Sequence, residues 1–197
     1  MLRDIWSLQG RYRILHLTWF AFFLTFVVWF NLAPLATTVK ADLGLSVAQM
    51  RALALCNVAL TVPARVVVGM LLDKYGPRLT YSALLVFALV PCLLCAAAQD
   101  FNHLVVARLL LSIVGAGFVI GIRMMAEWFP PNSIGQAQGI YGGWGNAGSS
   151  FAFITMVTLA GWLSFSGGVD VGGVVLNWRG AIAFTGIVAA VYGVIYY

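Results

Sequence analysis

Ionisable side chains are scarce in this chain. Of 197 residues only 9% are charged, with 11 lysines and arginines, 6 aspartates and glutamates, and 2 histidines. A soluble domain carries about a quarter charged residues, so an ordinary water-soluble fold is excluded. The shortage also removes most enzyme chemistry. No H-E-x-x-H, nucleophile elbow, phosphate loop or metal-spaced cluster occurs, and no metal, cofactor or enzymatic activity is expected. His16 and His103 sit near the ends of apolar stretches, which makes both weak proton-relay candidates. Cysteine is sparse and odd in number: Cys56, Cys92 and Cys95 all lie inside apolar runs, which argues against a disulfide framework. Cys92-x-x-Cys95 lacks a second ligand pair, so these thiols read as small core hydrophobes. The net charge of +5 is scattered over loops rather than clustered, and no nucleic-acid partner is expected.

What the chain has is apolar length. Hydrophobic residues make up 62% of it, and stretches of roughly 18 or more residues with few charges read as membrane helices. Hydropathy predicts an all-α membrane protein with six spans, at 15–38, 51–72, 79–98, 104–123, 136–165 and 178–197. Residues 1–14 are expected as a cytoplasmic N-terminal segment and 15–197 as one six-helix bundle in a lipid bilayer. The first span follows Arg3, Arg11 and Arg13 and so resembles a signal peptide, but it is too long and more spans follow, so it is read as retained. With the N-terminus inside, Arg3, Arg11, Arg13, Lys74, Arg78 and Arg123 face the cytoplasm while Lys40, Arg51 and Arg179 face outward, which obeys the positive-inside tendency. The connections are too short for a soluble domain. Spans one to three and four to six match in length, which predicts two inverted three-helix repeats with the second and fifth spans in corresponding places. The chain ends on "VYGVIYY" with no polar tail, and the expectation is the front half of a longer molecule, with a C-terminal six-helix half to follow.

Arg65 breaks this apolar pattern in mid-span. At 1.5 Å per residue, Arg65 in the second span and Asn146 in the fifth both fall about 12–15 Å from the inner end, near the midplane. Asn57, Thr61 and Arg65 share one helix face, predicting a polar stripe toward the bundle interior or a water cavity. No carboxylate lies at that depth, because Asp4, Asp42, Asp73, Asp100, Glu127 and Asp170 sit at span ends or loops. Arg65 therefore either meets a transported anion, bonds carbonyls of a neighbouring helix, or pairs with something beyond this chain. Arg108 is near the outer end of its span and is expected to snorkel there in a structural role. Gly115, Gly117 and Gly121 beyond it permit close helix approach. Gly135, Gly139 and Gly143 form a small-xxx-small pattern that lets backbones touch. Asn146 beside them can donate to an oxyanion or to another helix. The shallow charges of "GMLLDKYGPR" predict a loop that locks one helix onto a neighbour. Phe20, Phe22, Phe23, Phe26, Trp29 and Phe30 crowd the first span and read mainly as packing or lipid-facing residues.

"GMLLDKYGPR" resembles the G-x-x-x-D-[RK]-x-G-x-[RK] loop of the major facilitator superfamily, and "RLLLSIVGAG" its fourth-helix arginine–glycine motif. "GGWGNAGSS" resembles the signature of the nitrate/nitrite porter family. "FFLTFVVWFNLAPLA", "AEWFPP" and "GIYGGWGNAG" extend the likeness to its bacterial members over essentially the whole chain. The resemblance implies a 3+3 inverted-repeat fold, a bacterial inner-membrane location and transport of nitrate or nitrite by alternating access, as nitrate/nitrite antiport or proton symport. It further implies that Arg65 and Asn146 bind the anion and that Phe26 and Phe118 sandwich it. Gly142, Gly143, Gly145 and Gly148 then carry the signature, and Gly69, Asp73, Lys74, Gly76 and Arg78 the conformational loop. Ala147 stands where many members have an aromatic. The family's second binding arginine belongs to a back half that this chain does not include. Another small anion as cargo, or a non-transporting membrane sensor or assembly protein, are the competing readings.

Overall fold

The structure, a computed structural model, describes residue 7 and residues 9–197; Arg3 and Asp4, assigned above to the inner end, lie outside the described residues. Five helical stretches are long and apolar enough to cross a bilayer: Gly10–Asp42, Val47–Ala96, Phe101–Trp128, Ile134–Ser166 and Trp178–Tyr196. Their helices are α1 (Gly10–Phe30), α2 (Ala36–Asp42), α3 (Val47–Ala59), α4 (Thr61–Phe87), α5 (Leu89–Ala96), α6 (Phe101–Ser112), α7 (Gly117–Trp128), α8 (Ile134–Trp162) and α9 (Trp178–Tyr196). Three helices begin where a side chain satisfies their first N–H groups: Ser46 and Gln49 form a capping box on α3, Asp100 caps α6 and Asn177 caps α9.

The second stretch has 50 residues, which a straight helix would carry about 75 Å, more than twice the ~30 Å hydrocarbon layer. It is not straight. Gly76 in α4 has φ 76°, ψ 165°, a conformation that costs other residues dearly, and Pro77 has no N–H to continue the ladder. Thr80 seals the bend by donating its hydroxyl to the Gly76 carbonyl at 2.8 Å. α4 therefore has two arms, one before Gly76 and one after it.

The link before α9 holds more order than its length suggests. Strands β1 (Val169–Val171) and β2 (Val174–Leu176) pair antiparallel, Val169 opposite Leu176. Gly172 and Gly173 turn between them with φ 65° and 87°, the left-handed values that a two-residue hairpin turn requires. At this end Asp42 accepts from Trp178 Nε1 at 2.9 Å and Arg179 Nη2 at 3.1 Å. Arg179 also donates to the carbonyls of Ala96 and Ala98, neutralising the C-terminus of α5.

α1 runs through the middle of the bundle, packed on α7, α8 and α9, while α3 lies on α6 and α5 on α6 and α9. The closest approach is between α1 and α8. A Cβ on Gly148 would lie 2.2 Å from the Phe23 carbonyl oxygen, and one on Gly145 would lie 1.8 Å from the Phe22 ring. Nothing lies within 4 Å of such an atom on Gly135, Gly139 or Gly143. The predicted small-xxx-small contact thus falls on a different pair of glycines, because the first three point away from α1. Gly115 and Gly121 do admit neighbours closely, Trp29 and Tyr141 respectively.

Gly148→Ala is expected to lower stability by about 1–3 kcal/mol, since backbone must move. Gly161→Ala, whose Cβ would meet only Leu176 at 3.8 Å, should be neutral or stabilising by up to about 1 kcal/mol. Thermal unfolding in detergent compares the two.

Candidate functional site

Three helices break at one level of the bundle, and their loose ends satisfy one another. α1 ends at Phe30, before a 3-10 turn at Ala33–Leu35 that contains Pro34. α3 gives way to α4 at Leu60, just before Pro63. α6 ends at Ser112 and passes through a 3-10 turn at Ile113–Ala116. Backbone groups freed inside a membrane must find partners within the protein. The Leu60 N–H donates to Ser112 Oγ at 3.1 Å, and the Thr61 hydroxyl donates to the Ser112 carbonyl at 3.0 Å. The Trp29 carbonyl, in the last turn of α1, accepts from Asn57 Nδ2 at 3.1 Å and Arg108 Nη2 at 3.0 Å.

Arg108 is the hub of this junction. It is 3% exposed. Nη1 donates to Asn31 Oδ1 at 3.0 Å and Nη2 to Asn57 Oδ1 at 2.6 Å. Asn31 in turn donates to Thr185 Oγ1 at 3.1 Å and Cys92 Sγ at 3.7 Å. The expectation that Arg108 snorkels to the outer surface is therefore wrong. Freed carbonyl and amide acceptors inside the bundle hold it there, and the charge sits at the negative end of α1.

The predicted stripe of Asn57, Thr61 and Arg65 is also not a single face. Asn57 and Thr61 are buried on α6, whereas Arg65 is exposed and makes no hydrogen bond or ion pair among the described residues. The buried face of α4 runs through Thr61, Ala64, Val68 and Leu72, and Arg65, a turn beyond Thr61, falls just off it. Arg65 lies eight residues beyond Asn57, about 12 Å farther along the axis. On antiparallel α1, Phe22 lies seven residues before Trp29, about 10 Å in the same direction. Arg65 therefore shares the depth of the Phe22 ring.

Asn146 reaches that depth from α8, next to Gly145 and its contact with Phe22. Its side chain is exposed and donates to the Gly142 carbonyl at 2.7 Å, which is neither an interhelical bond nor a buried amide. Gly143 is exposed and Gly142 half-buried, both facing open space, while Gly145 and Gly148 are packing positions on α1. The four signature glycines thus divide between two tasks. Phe26 and Phe118 are half-buried and do not face each other as a pair. Each packs on Phe22, with centroids 4.6 Å and 5.5 Å away. Phe22 and Tyr141, stacked at 4.8 Å, form the floor that sequence reasoning missed. Tyr141 also donates to the Phe118 carbonyl at 3.2 Å and lies 3.5 Å from the Tyr81 hydroxyl. Its one sequence signal is its place beside the glycines of "GIYGGWG". A groove of about 650 Å³ between the two arms of α4, lined by Ala64, Val67, Leu71 and Phe87, is almost wholly apolar and offers an anion nothing.

Residues 18–197 match the family model described as Major Facilitator Superfamily. The chain belongs to that superfamily. It is 60% identical over its whole length to the nitrate/nitrite transporter NrtP of Picosynechococcus sp., of which it covers 40%, and to that of Nostoc punctiforme, of which it covers 38%. It is 34% identical, over 86% of its length, to the probable nitrate/nitrite antiporter NarK1 of Thermus thermophilus. The chain thus spans about two fifths of these relatives' own length. Among solved structures, a bacterial homolog of the human lysosomal transporter Spinster, inward-facing and occupied, superposes with TM-score 0.77 at 20% identity, over 94% of this chain and 43% of that one. That likeness carries the fold alone.

The superfamily loop sits at the Gly76 bend. Asp73 lies 3.9 Å from Arg123 of α7, which bonds Glu127 at 2.8 Å. This link joins the ends of α4's first arm and α7, as a helix-locking loop requires. Lys74 covers the Tyr75 ring at 5.1 Å and Arg78 the Tyr197 ring at 5.4 Å. Gly69 faces open space, with nothing within 4 Å of where a Cβ would stand. The Asp73–Arg123 pair is exposed on both sides, so it is worth about 0–1 kcal/mol.

Arg65→Ala is expected to shift stability by less than about 0.5 kcal/mol, because nothing in the bundle leans on it. Asn57→Ala strips an acceptor from buried Arg108 and should cost about 1–3 kcal/mol. Thermal unfolding of both variants in detergent reads the difference.

Proposed function

We propose that this chain forms the front portion of a nitrate/nitrite carrier of the bacterial inner membrane, working by alternating access with a further bundle supplied by the rest of the protein. Six spans in two inverted triplets follow if the Gly76 bend returns the chain across the bilayer. The distribution of basic residues supports a cytoplasmic N-terminus. The observation that carries the reading is Arg65. In a chain 60% identical to nitrate/nitrite transporters, one membrane arginine is engaged in the bundle and the other is left free at midplane depth.

Nitrate is flat and monovalent. A guanidinium presents planar paired donors that match two of its oxygens, a geometry lysine lacks. Asn146 needs only to release the Gly142 carbonyl to offer Nδ2 to the third oxygen. Phe26 and Phe118, braced by Phe22, bound the space and select against tetrahedral anions by shape. Aromatic faces attract anions little, so arginine supplies the charge. The open faces of α4 and α8 support a partner bundle closing over the same space: Val62, Val66, Met70, Trp144 and Ile154 are all more than half exposed. This is a binding and translocation reading, with no chemical step.

In proteoliposomes holding the full-length carrier, Arg65→Ala should cut labelled-nitrate uptake at least about thirtyfold, the loss typical of a charge partner removed from a desolvated pair. Arg65→Lys should recover only part of it. Parental uptake by Arg65→Lys would instead favour a cargo that needs charge but no planar fork.

A further inference from the structure

We propose that Arg108 tunes the anion site from behind: a buried cation balanced by no carboxylate, it raises anion affinity at Arg65 without touching the anion. This inference rests on the anion-carrier reading above.

The bonding of Arg108 poses a physical puzzle. Every acceptor it uses is neutral, namely the Asn31 and Asn57 amides and the Trp29 carbonyl. Its Nε is buried with no hydrogen-bond partner. No ion pair reaches it among the described residues. A cation held this way carries a large desolvation cost, and a neutral amide could bridge Asn31, Asn57 and the end of α1 with far less. Dipoles stabilise the charge without cancelling it, so its field extends into the bundle. What the guanidinium adds over an amide is that field.

The geometry directs it usefully. Arg108 is bonded to Asn57, and Arg65 lies eight residues farther on, about 12 Å along the axis. At that separation as a minimum and an effective dielectric of about 20, one unit charge changes the affinity of a monovalent anion by up to about tenfold. Screening is weak, because the groups that accept from Arg108 are the neutral Asn31 and Asn57 amides and the Trp29 carbonyl, and Asn31 leads on only to Thr185 and Cys92. The carboxylates that the chain brings nearest to the junction's own residues, Asp100 eight residues before Arg108 and Asp42 eleven after Asn31, are committed to the α6 N-terminus and to Trp178 and Arg179 respectively. Arg108 is thus a positioning residue for charge: it shapes the potential that the cargo meets on reaching Arg65.

The test cancels the charge while keeping the junction. In the full-length carrier, Asn31→Asp preserves the acceptor for Arg108 Nη1, and the Thr185 hydroxyl can reverse to donate to the new carboxylate. An acid beside an arginine stays ionised. Nitrate Kd, by calorimetry in detergent, should rise about tenfold, with no fall in melting temperature. Thr185→Val perturbs the same packing and leaves the charge, so it should lower the melting temperature and move Kd less than threefold. A purely structural Arg108 predicts the opposite ranking. If Asn31→Asp fails to fold, Asn57→Asp neutralises from the second acceptor; it gives up the Nδ2 bond to the Trp29 carbonyl, so its melting temperature falls and the tenfold rise in Kd is the readout. Parental Kd in the aspartate variant, beside lost binding in Arg65→Ala, overturns this inference and leaves the carrier reading intact. Parental binding in Arg65→Ala removes both.

Discussion

The structure depends on one guanidinium with nothing charged to hold. Arg108 gathers the last turn of α1, the residue that caps its C-terminus and the end of α3 into a single junction through Trp29, Asn31 and Asn57. Lipid cannot satisfy backbone groups, so three helices can break at one depth only if each break supplies what another lacks. Ser112 does this for Leu60 and Thr61, and Arg108 does it for Trp29. The breaks then re-aim the chain below them. Within α4, Thr61 stays inside the bundle with Asn57 of α3, while Arg65, just off the buried face, is turned out of it.

That division separates holding from binding. The residues that hold the bundle are polar, buried and mutually bonded. The two polar residues assigned to the anion are exposed, one bonded to nothing and the other only to its own helix. α8 shows the same split along its length. Gly145 and Gly148 press against α1, while Gly142, Gly143 and Asn146 face open space. Of the long helical stretches the one holding α8 is also the least covered, with 22% of its most apolar window buried against 39–56% in the others. A surface so apolar, with one free arginine and one loosely held amide at its centre, is suited to closing on a small anion under a second bundle.

Much of this is legible in the sequence because apolar length and glycine spacing report directly on membrane helices and their close contacts. The apolar stretches, the Gly76 break and the absence of deep carboxylates follow from local pattern. The differences have a common cause. A four-residue step taken as one continuous face merges Arg65 with Asn57 and Thr61, and depth alone sends Arg108 to the surface. Both depend on which side of a helix its neighbours cover and which carbonyls a nearby break releases, and those are properties of neighbouring helices. Phe22 is indistinguishable by sequence from the other phenylalanines of its span, since only contact with Gly145, Phe118 and Tyr141 singles it out. The hairpin at Gly172–Gly173 does have a local signal, two β-branched runs about a Gly-Gly pair, hidden between long apolar helices.

The most direct measurement is a structure of the full-length carrier with nitrate bound. The account predicts nitrate oxygens about 2.7–2.9 Å from the Arg65 guanidinium nitrogens, with Arg108 still held by Asn31, Asn57 and Trp29. Nitrate seated on Arg108, or bound while Arg65 points into lipid, would contradict it.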